Sequence, residues 1–542
     1  METQTRAKGK ATKAEQASTP STATKTTIPC HDPATLESLG DVPVTTPDEI
    51  KECIARARRA QARWAGTSFA ERRRVLRRLA DYLLDHCDEL VEAICRDCGK
   101  TRENALLGEM WPILEKIRHT IATGEKDLAP ERVSPGLLAH KVATIEYQPL
   151  GVIGVICPWN FPLQNVMGPT IPALFAGNAV IVKVSEWVAW SAPRFQAVFD
   201  AVLRDCGYPT DLVQVINGYA ETGAALVSGG VDKIVFTGSM PNGKKVLAES
   251  AKSLTPCILE LGGKDPMIVC DDANIDQAVH AALAGTYIAS GQMCLAAERV
   301  IVFDKIYDRF VDAVLAEAGR LRQGPPLAGN LVDVGAMTMP GQIDIVEKLV
   351  NDAVEKGAQV RLGGKRATGL GGQFFQPTVL AGVTPEMAIA REESFGPVMC
   401  IFRVRDEEEA VRLANDTVYG LGSTVFSTDH GRARRIADQL RAGSTVVNDF
   451  GLAYMANALP FGGVGGSGFG RLNGREGIRA MCNTKSVLVD RFPFLHKAVK
   501  LYPVAAGDYA RTRATLDMLY RHDASSRLAG VVELVKGMLS RK

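Results

Sequence analysis

Residues 151–184 read GVIGVICPWNFPLQNVMGPTIPALFAGNAVIVKV, and no charged residue interrupts the run from Gly151 to Val182. A membrane-spanning helix needs roughly 20 apolar residues, so length alone would allow one. Pro158, Pro162, Pro169 and Pro172 break such a helix, and Asn160, Gln164 and Asn165 would be stranded in lipid. Two buried strands joined by a loop and a short helix fit the stretch, and no transmembrane segment is expected. Outward from it, Gly151–Cys157, Ala179–Val184, Leu212–Ile216 and Lys233–Phe236 are short β-branched runs separated by helical stretches. That rhythm predicts βαβ units on a parallel sheet. A second block from Pro266 to about Val447 repeats it, with strands expected at Met267–Cys270, Val300–Phe303 and Ser423–Phe426. There is no repeat at solenoid spacing. The fold class is α/β, in two layers with a sheet each.

On the N-terminal side, residues 48–127 read as helices, with Leu76, Leu79, Leu83 and Leu90 near helical period. Arg72, Arg73, Arg74, Arg77 and Arg78 form a basic run without interleaved aromatics, read as a solvated helix face. The 542 residues carry 63 Lys+Arg against 61 Asp+Glu, and a net charge of +2 gives no reason to expect nucleic acid as a partner. Residues 1–29 are rich in Thr, Ala, Lys and Ser and are expected to be disordered. Glu2, Glu15 and the scarcity of Arg speak against a transit peptide there. Twelve scattered Cys without a signal peptide suggest a reduced, cytoplasmic setting. Cys95 and Cys98 form a lone CxxC next to Gly99, without a second pair or His cluster at zinc spacing, so no metal is expected.

Four motifs carry chemistry. Glu260 follows the strand-like run Cys257–Leu259 and precedes Gly262 and Gly263. A carboxylate among apolar residues has a raised pKa, as a general base requires, although a buried salt bridge would look the same. Cys294 follows Gly291 and is expected to open a helix whose N–H groups lower its pKa; the alternative is a plain core cysteine. Pro158 and Pro162 bracket Asn160, so its amide is pre-aimed, as an oxyanion hole needs, unless the segment is simply a rigid turn. Phe236–Gly243 leads from a strand into a helix with glycines that let a pyrophosphate approach the helix N-terminus, although it is not the G-x-G-x-x-G fingerprint.

Together these motifs resemble the aldehyde dehydrogenase superfamily. Leu259–Pro266 and Tyr287–Glu298 match its glutamate and cysteine signatures. Pro158–Pro162, the Ser-Glu pair after Lys183, Glu393–Pro397 and Pro460–Gly463 follow in its order. The resemblance implies an aldehyde dehydrogenase-like fold: a five-stranded Rossmann-like NAD-binding domain (30–129 and 151–262), an α/β catalytic domain (263–472) and a small β extension that pairs subunits (130–150 and 480–491). It implies Cys294 as nucleophile, Glu260 as the base that hydrolyses a thioester, and Asn160 with the Cys294 N–H as oxyanion donors. Lys183 and Glu186 would hold the adenosine ribose of NAD, with Trp159, Gly238, Ser239, Gly243 and Leu261 around the cofactor. Glu393 would bind the nicotinamide ribose and Phe395 would pack near the ring. A carboxylate at 186 would repel a 2′-phosphate, which favours NAD over NADP.

Two departures stand out: Val184 where the family usually has Pro, and Gly465 where it usually has Lys. An acylating relative typically lacks the glutamate, a phosphorylating enzyme would need a His base, and a silent scaffold need not keep the whole set. The apolar residues Met110, Trp111, Phe161, Met293 and Leu295 are expected at the tunnel mouth, suiting a medium or long aliphatic or aromatic aldehyde. A homodimer or homotetramer is expected. Residues 492–542 form a C-terminal helical extension in which Leu528, Val531, Val532, Val535 and Leu539 trace one face. It packs on the enzyme or its oligomer partner, or lies at a membrane surface. The sequence also resembles a plant and fungal branch whose members often carry an N-terminal membrane anchor, which is not expected here. Organelle targeting through the tail stays open.

Overall fold

The computed structural model describes residues 26–492, 494 and 502–539. The uncharged stretch folds into the strand Val152–Ile156, the helix Pro162–Ala176 and the strand Ala179–Lys183, nearly all of it buried. Pro162 opens the helix, where its missing N–H costs nothing. Pro169 and Pro172, expected to break a helix, lie inside this one. Each proline frees the carbonyl four residues earlier, and other side chains take those carbonyls up. Cys157 Sγ donates to the Asn165 carbonyl at 3.1 Å, and Lys116 Nζ donates to the Gly168 carbonyl at 3.4 Å.

The two strands belong to a six-stranded sheet ordered 468–469, 257–261, 233–238, 152–156, 179–183, 213–216. Its last five strands run parallel and Gly468–Phe469 joins antiparallel. The second sheet has seven strands, with Pro266–Val269 between Arg299–Phe303 and Thr424–Phe426, and is parallel except for the edge strand Gln359–Leu362. The strand Cys257–Leu261 reaches further than expected and contains Glu260.

The helices expected over 48–127 are present. Cys87–Cys98 carries both CxxC thiols, and Gly99 (φ +77°) ends it in the left-handed conformation suited to glycine. All twelve cysteines are unpaired. The basic run is a solvated face except at Arg72. Arg72 is buried and donates to the Phe175 carbonyl (3.0 Å) and the Ala65 carbonyl (2.9 Å), filling helix-end acceptors. Arg73, Arg74 and Arg78 are tied to Glu125, the Cys206 carbonyl and Asp205. The expected disorder of residues 1–29 is also corrected at its end. Thr27–His31 pairs with Ser38–Pro43 and buries Ile28 and Cys30, whereas residues 1–25 lie outside the described residues.

Contacts divide the chain into one unit of residues 1–130 and 146–485 and another of 131–145 and 486–542. A three-stranded sheet is ordered Cys482–Asp490, Lys141–Pro149, Glu131–Val133. The helices Asp508–Tyr520 and Ala524–Leu539 pack on each other, Gly530 lying against Ala514 and Met518. Leu528, Val531, Val532, Val535 and Leu539 lie on a face of the second helix that this helical pair leaves exposed. Among the described residues no helix is long and apolar enough to cross a membrane.

Candidate active site

Glu260 and Cys294, 34 residues apart, meet with Cys294 Sγ donating to Glu260 Oε1 at 3.7 Å. The two glycines after Glu260 let the chain pass close to its neighbours. A Cβ on Gly262 would overlap the Glu393 carboxyl, and one on Gly263 would overlap the Cys294 carbonyl. Thr237 Oγ1 donates to the other Glu260 oxygen at 3.3 Å. Burial pushes the Glu260 carboxyl above its ordinary range, while the Thr237 and Cys294 hydrogen bonds and the Lys116 ammonium pull against that rise.

Cys294 does not open a helix. The helix Ile275–Tyr287 is followed by Ala289, Ser290 and Gly291 with φ of +50°, +56° and +74°, and the chain then turns directly into the strand Arg299–Phe303. Left-handed alanine and serine cost about 1–3 kcal/mol each. The Ala289 N–H donates to Asn104 Oδ1 (2.8 Å) and Ser290 Oγ donates to the Gly335 carbonyl (2.9 Å), which holds the bend. The expected lowering of the thiol pKa is absent too. Burial, then the carboxyls of Glu260, Asp265 and Glu393, raise it well above the ordinary thiol value. The carboxyl in contact with the sulfur is that of Glu260.

Asn160 is buried and Nδ2 donates to the Gln292 carbonyl at 3.0 Å, two residues before the cysteine. A primary amide has two N–H donors, so one remains for another acceptor. Asn165 Nδ2 donates to Asn160 Oδ1 at 3.3 Å and fixes the rotamer. A π-turn at Leu106–Met110 precedes the helix Trp111–Asp127, at the point where Pro112 cannot donate to Gly108. It turns Glu109 inward. Glu109 Oε1 pairs with Lys100 Nζ at 2.7 Å, and Oε2 accepts from the Leu163 and Gln164 N–H groups at 2.7 and 3.1 Å. Nothing in the sequence pattern marks Glu109 or Lys100 as part of the site.

Phe395 has φ +47° and meets Trp159 edge-on, with ring centroids 5.4 Å apart. Its loop hangs on Glu298, which accepts from Ser394 N (2.8 Å), Ser394 Oγ (2.9 Å) and Phe395 N (2.9 Å) and pairs with buried Lys264. Glu298 stands four residues after the cysteine, inside the motif already singled out. The Gly263 N–H donates to Glu393 Oε1 at 3.1 Å. Burial, with repulsion from Glu298, pushes Glu393 up to about 8.

At the end of the first sheet, buried Lys183 lies 3.7 Å from Glu186 Oε2. The Val184 N–H donates to the Ile216 carbonyl at 3.1 Å, a bond that proline could not make. Ser239 is the N-cap of the helix Met240–Ser250, and its side chain makes no capping bond. Gly243 is buried where a Cβ would overlap Leu261, so it serves close helix-to-strand packing. Gly465 has φ +59°, a conformation in which lysine would be strained. Two residues on, Ser467 Oγ donates to the Gly262 carbonyl at 2.6 Å. Among the described residues no cluster of three or more His, Cys, Asp or Glu is placed to hold a metal ion.

Residues 19–487 match the aldehyde dehydrogenase family. A putative aldehyde dehydrogenase-like protein of Schizosaccharomyces pombe is 40% identical over 478 residues, 87% of this chain and 91% of the relative. An NADP-dependent succinate-semialdehyde dehydrogenase of Mycobacterium tuberculosis is 37% identical over 84% of this chain and 98% of its own length. Among solved structures, a betaine aldehyde dehydrogenase of Staphylococcus aureus in complex with NAD+ superposes with a TM-score of 0.81 at 31% identity, covering 88% of this chain and 96% of that one. The α/β architecture with two largely parallel sheets agrees with that likeness. The chain belongs to the aldehyde dehydrogenase family, enzymes that oxidise aldehydes to carboxylic acids.

Proposed function

We propose that the protein oxidises an aldehyde to its acid with NAD, through a thioester on Cys294 that Glu260 hydrolyses. The contact between the Cys294 thiol and the Glu260 carboxyl carries this reading. Glu260 takes the thiol proton and Cys294 Sγ adds to the aldehyde carbonyl carbon. Asn160, through the N–H not given to Gln292, together with the Cys294 N–H, holds the oxygen that becomes negative. Bound NAD supplies a hydride acceptor, and loss of hydride from the adduct leaves the thioester. Once Glu260 has released the thiol proton to solvent, it removes a proton from the water that attacks the thioester; the carbon–sulfur bond breaks, the acid leaves, and the proton on Glu260 returns to the Cys294 sulfur.

The cofactor residues suit a dinucleotide. The uncapped N-terminus of the helix Met240–Ser250, entered through Gly238 and Ser239, presents backbone N–H groups to a pyrophosphate. Lys183 and Glu186 would hold the adenosine ribose, and the Glu186 carboxylate disfavours a 2′-phosphate, so NAD is assigned over NADP. Glu393, fixed by the Gly263 N–H, would take the nicotinamide ribose, with Phe395, Trp159 and Leu261 around the cofactor. We assign residues 30–129 and 151–262 to NAD binding, 263–472 to catalysis and the three-stranded sheet to subunit pairing. The apolar set Met110, Trp111, Phe161, Met293 and Leu295 favours a medium or long aliphatic or aromatic aldehyde. The test is Cys294→Ser. Turnover is expected to vanish while NAD binding, followed by quenching of protein fluorescence, stays near wild type. Retained turnover would overturn the reading.

A further inference from the structure

Glu298 is buried four residues after the nucleophile, and the proposed reaction gives it no part. Its place follows from the second sheet. There Pro266–Val269, Arg299–Phe303 and Val398–Val404 are adjacent parallel strands, with Arg299–Phe303 in the middle. Parallel strands start at the same end, so the segments that lead into them lie side by side. Those segments carry Lys264, then Cys294 and Glu298, then Glu393 and Phe395. Glu298 stands at the entry to the middle strand and reaches both neighbours. On one side it pairs with buried Lys264. On the other, Oε2 accepts from Ser394 N (2.8 Å) and Ser394 Oγ (2.9 Å), and Oε1 accepts from Phe395 N (2.9 Å). Both neighbours are held a second time: Gln342 Nε2 donates to the Ser394 carbonyl at 2.7 Å, and Arg299 Nε to the Lys264 carbonyl at 2.8 Å.

We propose that Glu298 is a positioning residue that sets the nicotinamide end of the cofactor site against the Cys294 segment. The proposal rests on the reading of Glu393 and Phe395 as nicotinamide-side residues. Phe395 is held at φ +47°, a conformation that a non-glycine residue keeps only where its surroundings enforce it. The hydrogen bond from Phe395 N to Glu298 is that enforcement, and the two bonds from Ser394 fix the residue before it. One carboxyl thus holds two consecutive residues, and the loop can neither slide nor relax without breaking these bonds. The loop also touches the nucleophile segment directly, because a Cβ on Gly291 would overlap the Gly396 carbonyl. A displaced loop therefore moves Glu393 and Phe395 relative to Cys294. Lys183, Glu186 and Ser239 belong to the first sheet and its connections, so the adenosine half of the site does not depend on Glu298.

The test compares calorimetric binding of NAD and of AMP, together with single-turnover NADH formation, in wild type, Glu298→Gln and Ser394→Ala. Glutamine offers one acceptor oxygen to three donors and leaves Lys264 without its partner. Kd for NAD is expected to rise roughly tenfold, the worth of about one charge-assisted hydrogen bond, while Kd for AMP stays at the wild-type value. Misplacement by about an ångström costs about 10²-fold in rate, so single-turnover NADH formation is expected to fall by that order. Ser394→Ala removes one bond and no charge, and its losses are expected to be smaller and in the same direction. If Glu298→Gln fails to fold, the double variant Lys264→Met with Glu298→Met removes both buried partners together, a change that cores commonly tolerate, and should show the same split. Wild-type NAD affinity and rate in the folded variant would overturn the proposal, and so would AMP binding weakened as much as NAD binding. Glu393→Ala, measured alongside, separates the two readings. Unchanged NAD binding there refutes the nicotinamide-side reading, whereas weakened NAD binding there with wild-type behaviour in the Glu298 variants refutes only the role of Glu298.

Discussion

Glu109→Gln tests whether Asn160, the proposed oxyanion donor, is aimed by a buried ion pair. Glu109 is fully buried and its two oxygens serve three donors: Lys100 Nζ, Leu163 N and Gln164 N. The Lys100 ammonium also lies 3.7 Å from the centroid of the Phe161 ring, next to Asn160. Glutamine has one acceptor oxygen, and its NH2 group then faces a cation or two N–H donors. Breaking one member of a buried pair costs about 3–5 kcal/mol, and Gln, by keeping one acceptor, should lose about 2–3 kcal/mol. Out of a usual stability of roughly 5–15 kcal/mol that is a large share. Displacing Asn160 by an ångström would slow acylation by about 10²-fold. The assay pairs thermal denaturation with single-turnover NADH formation, and Asn160→Ala serves as control. Asn160→Ala should lose about 10²–10³-fold in rate with little change in melting temperature. Glu109→Gln should lose both rate and stability. Wild-type rate and melting temperature in Glu109→Gln would refute the argument.

Glu186→Ser should improve use of NADP relative to NAD, read as the ratio of kcat/KM values; a wild type that already prefers NADP widely would contradict the reading of that carboxylate. Glu393 binds its proton more tightly in the folded chain, about 8 against an ordinary 4.5. The stability it contributes is complete below about pH 4.5 and is lost as pH rises toward 8, by on the order of a few kcal/mol. Denaturant melts of Glu393→Gln without cofactor should therefore fall less between pH 5 and pH 8 than those of wild type, and parallel slopes would contradict this.

The architecture was legible where the cause was local. The β-branched runs at 152–156, 179–183, 213–216 and 233–238 form strands of one sheet because period and burial leave them little else. Glu260 and Cys294 could be read as a pair only through the family resemblance of their two motifs, and they touch. What could not be read depends on partners distant in sequence. Pro169 and Pro172 sit inside a helix because Cys157 and Lys116 occupy the carbonyls they free. Arg72 is buried because Phe175 and Ala65 present helix-end carbonyls to it. Cys294 lacks its expected helix because three successive left-handed residues send the chain into a strand, and their supports, Asn104 and Gly335, lie elsewhere in the sequence. Glu109 and Lys100 belong to the site through a π-turn that no periodicity announces.

The hydrolytic role of Glu260 is tested most directly by mixing Glu260→Gln enzyme with NAD and aldehyde in a stopped-flow spectrometer. Mass spectrometry of the quenched mixture reads the state of Cys294. A general base contributes about 10²–10⁴-fold, so steady-state turnover should fall by that order. A burst of about one equivalent of NADH per active site should precede the slow phase, with the acyl group found on Cys294. Where loss of Glu260 also slows thiol deprotonation, higher pH should restore the burst and leave the slow phase slow. Full steady-state turnover in Glu260→Gln, with no acyl group on Cys294, would contradict the account.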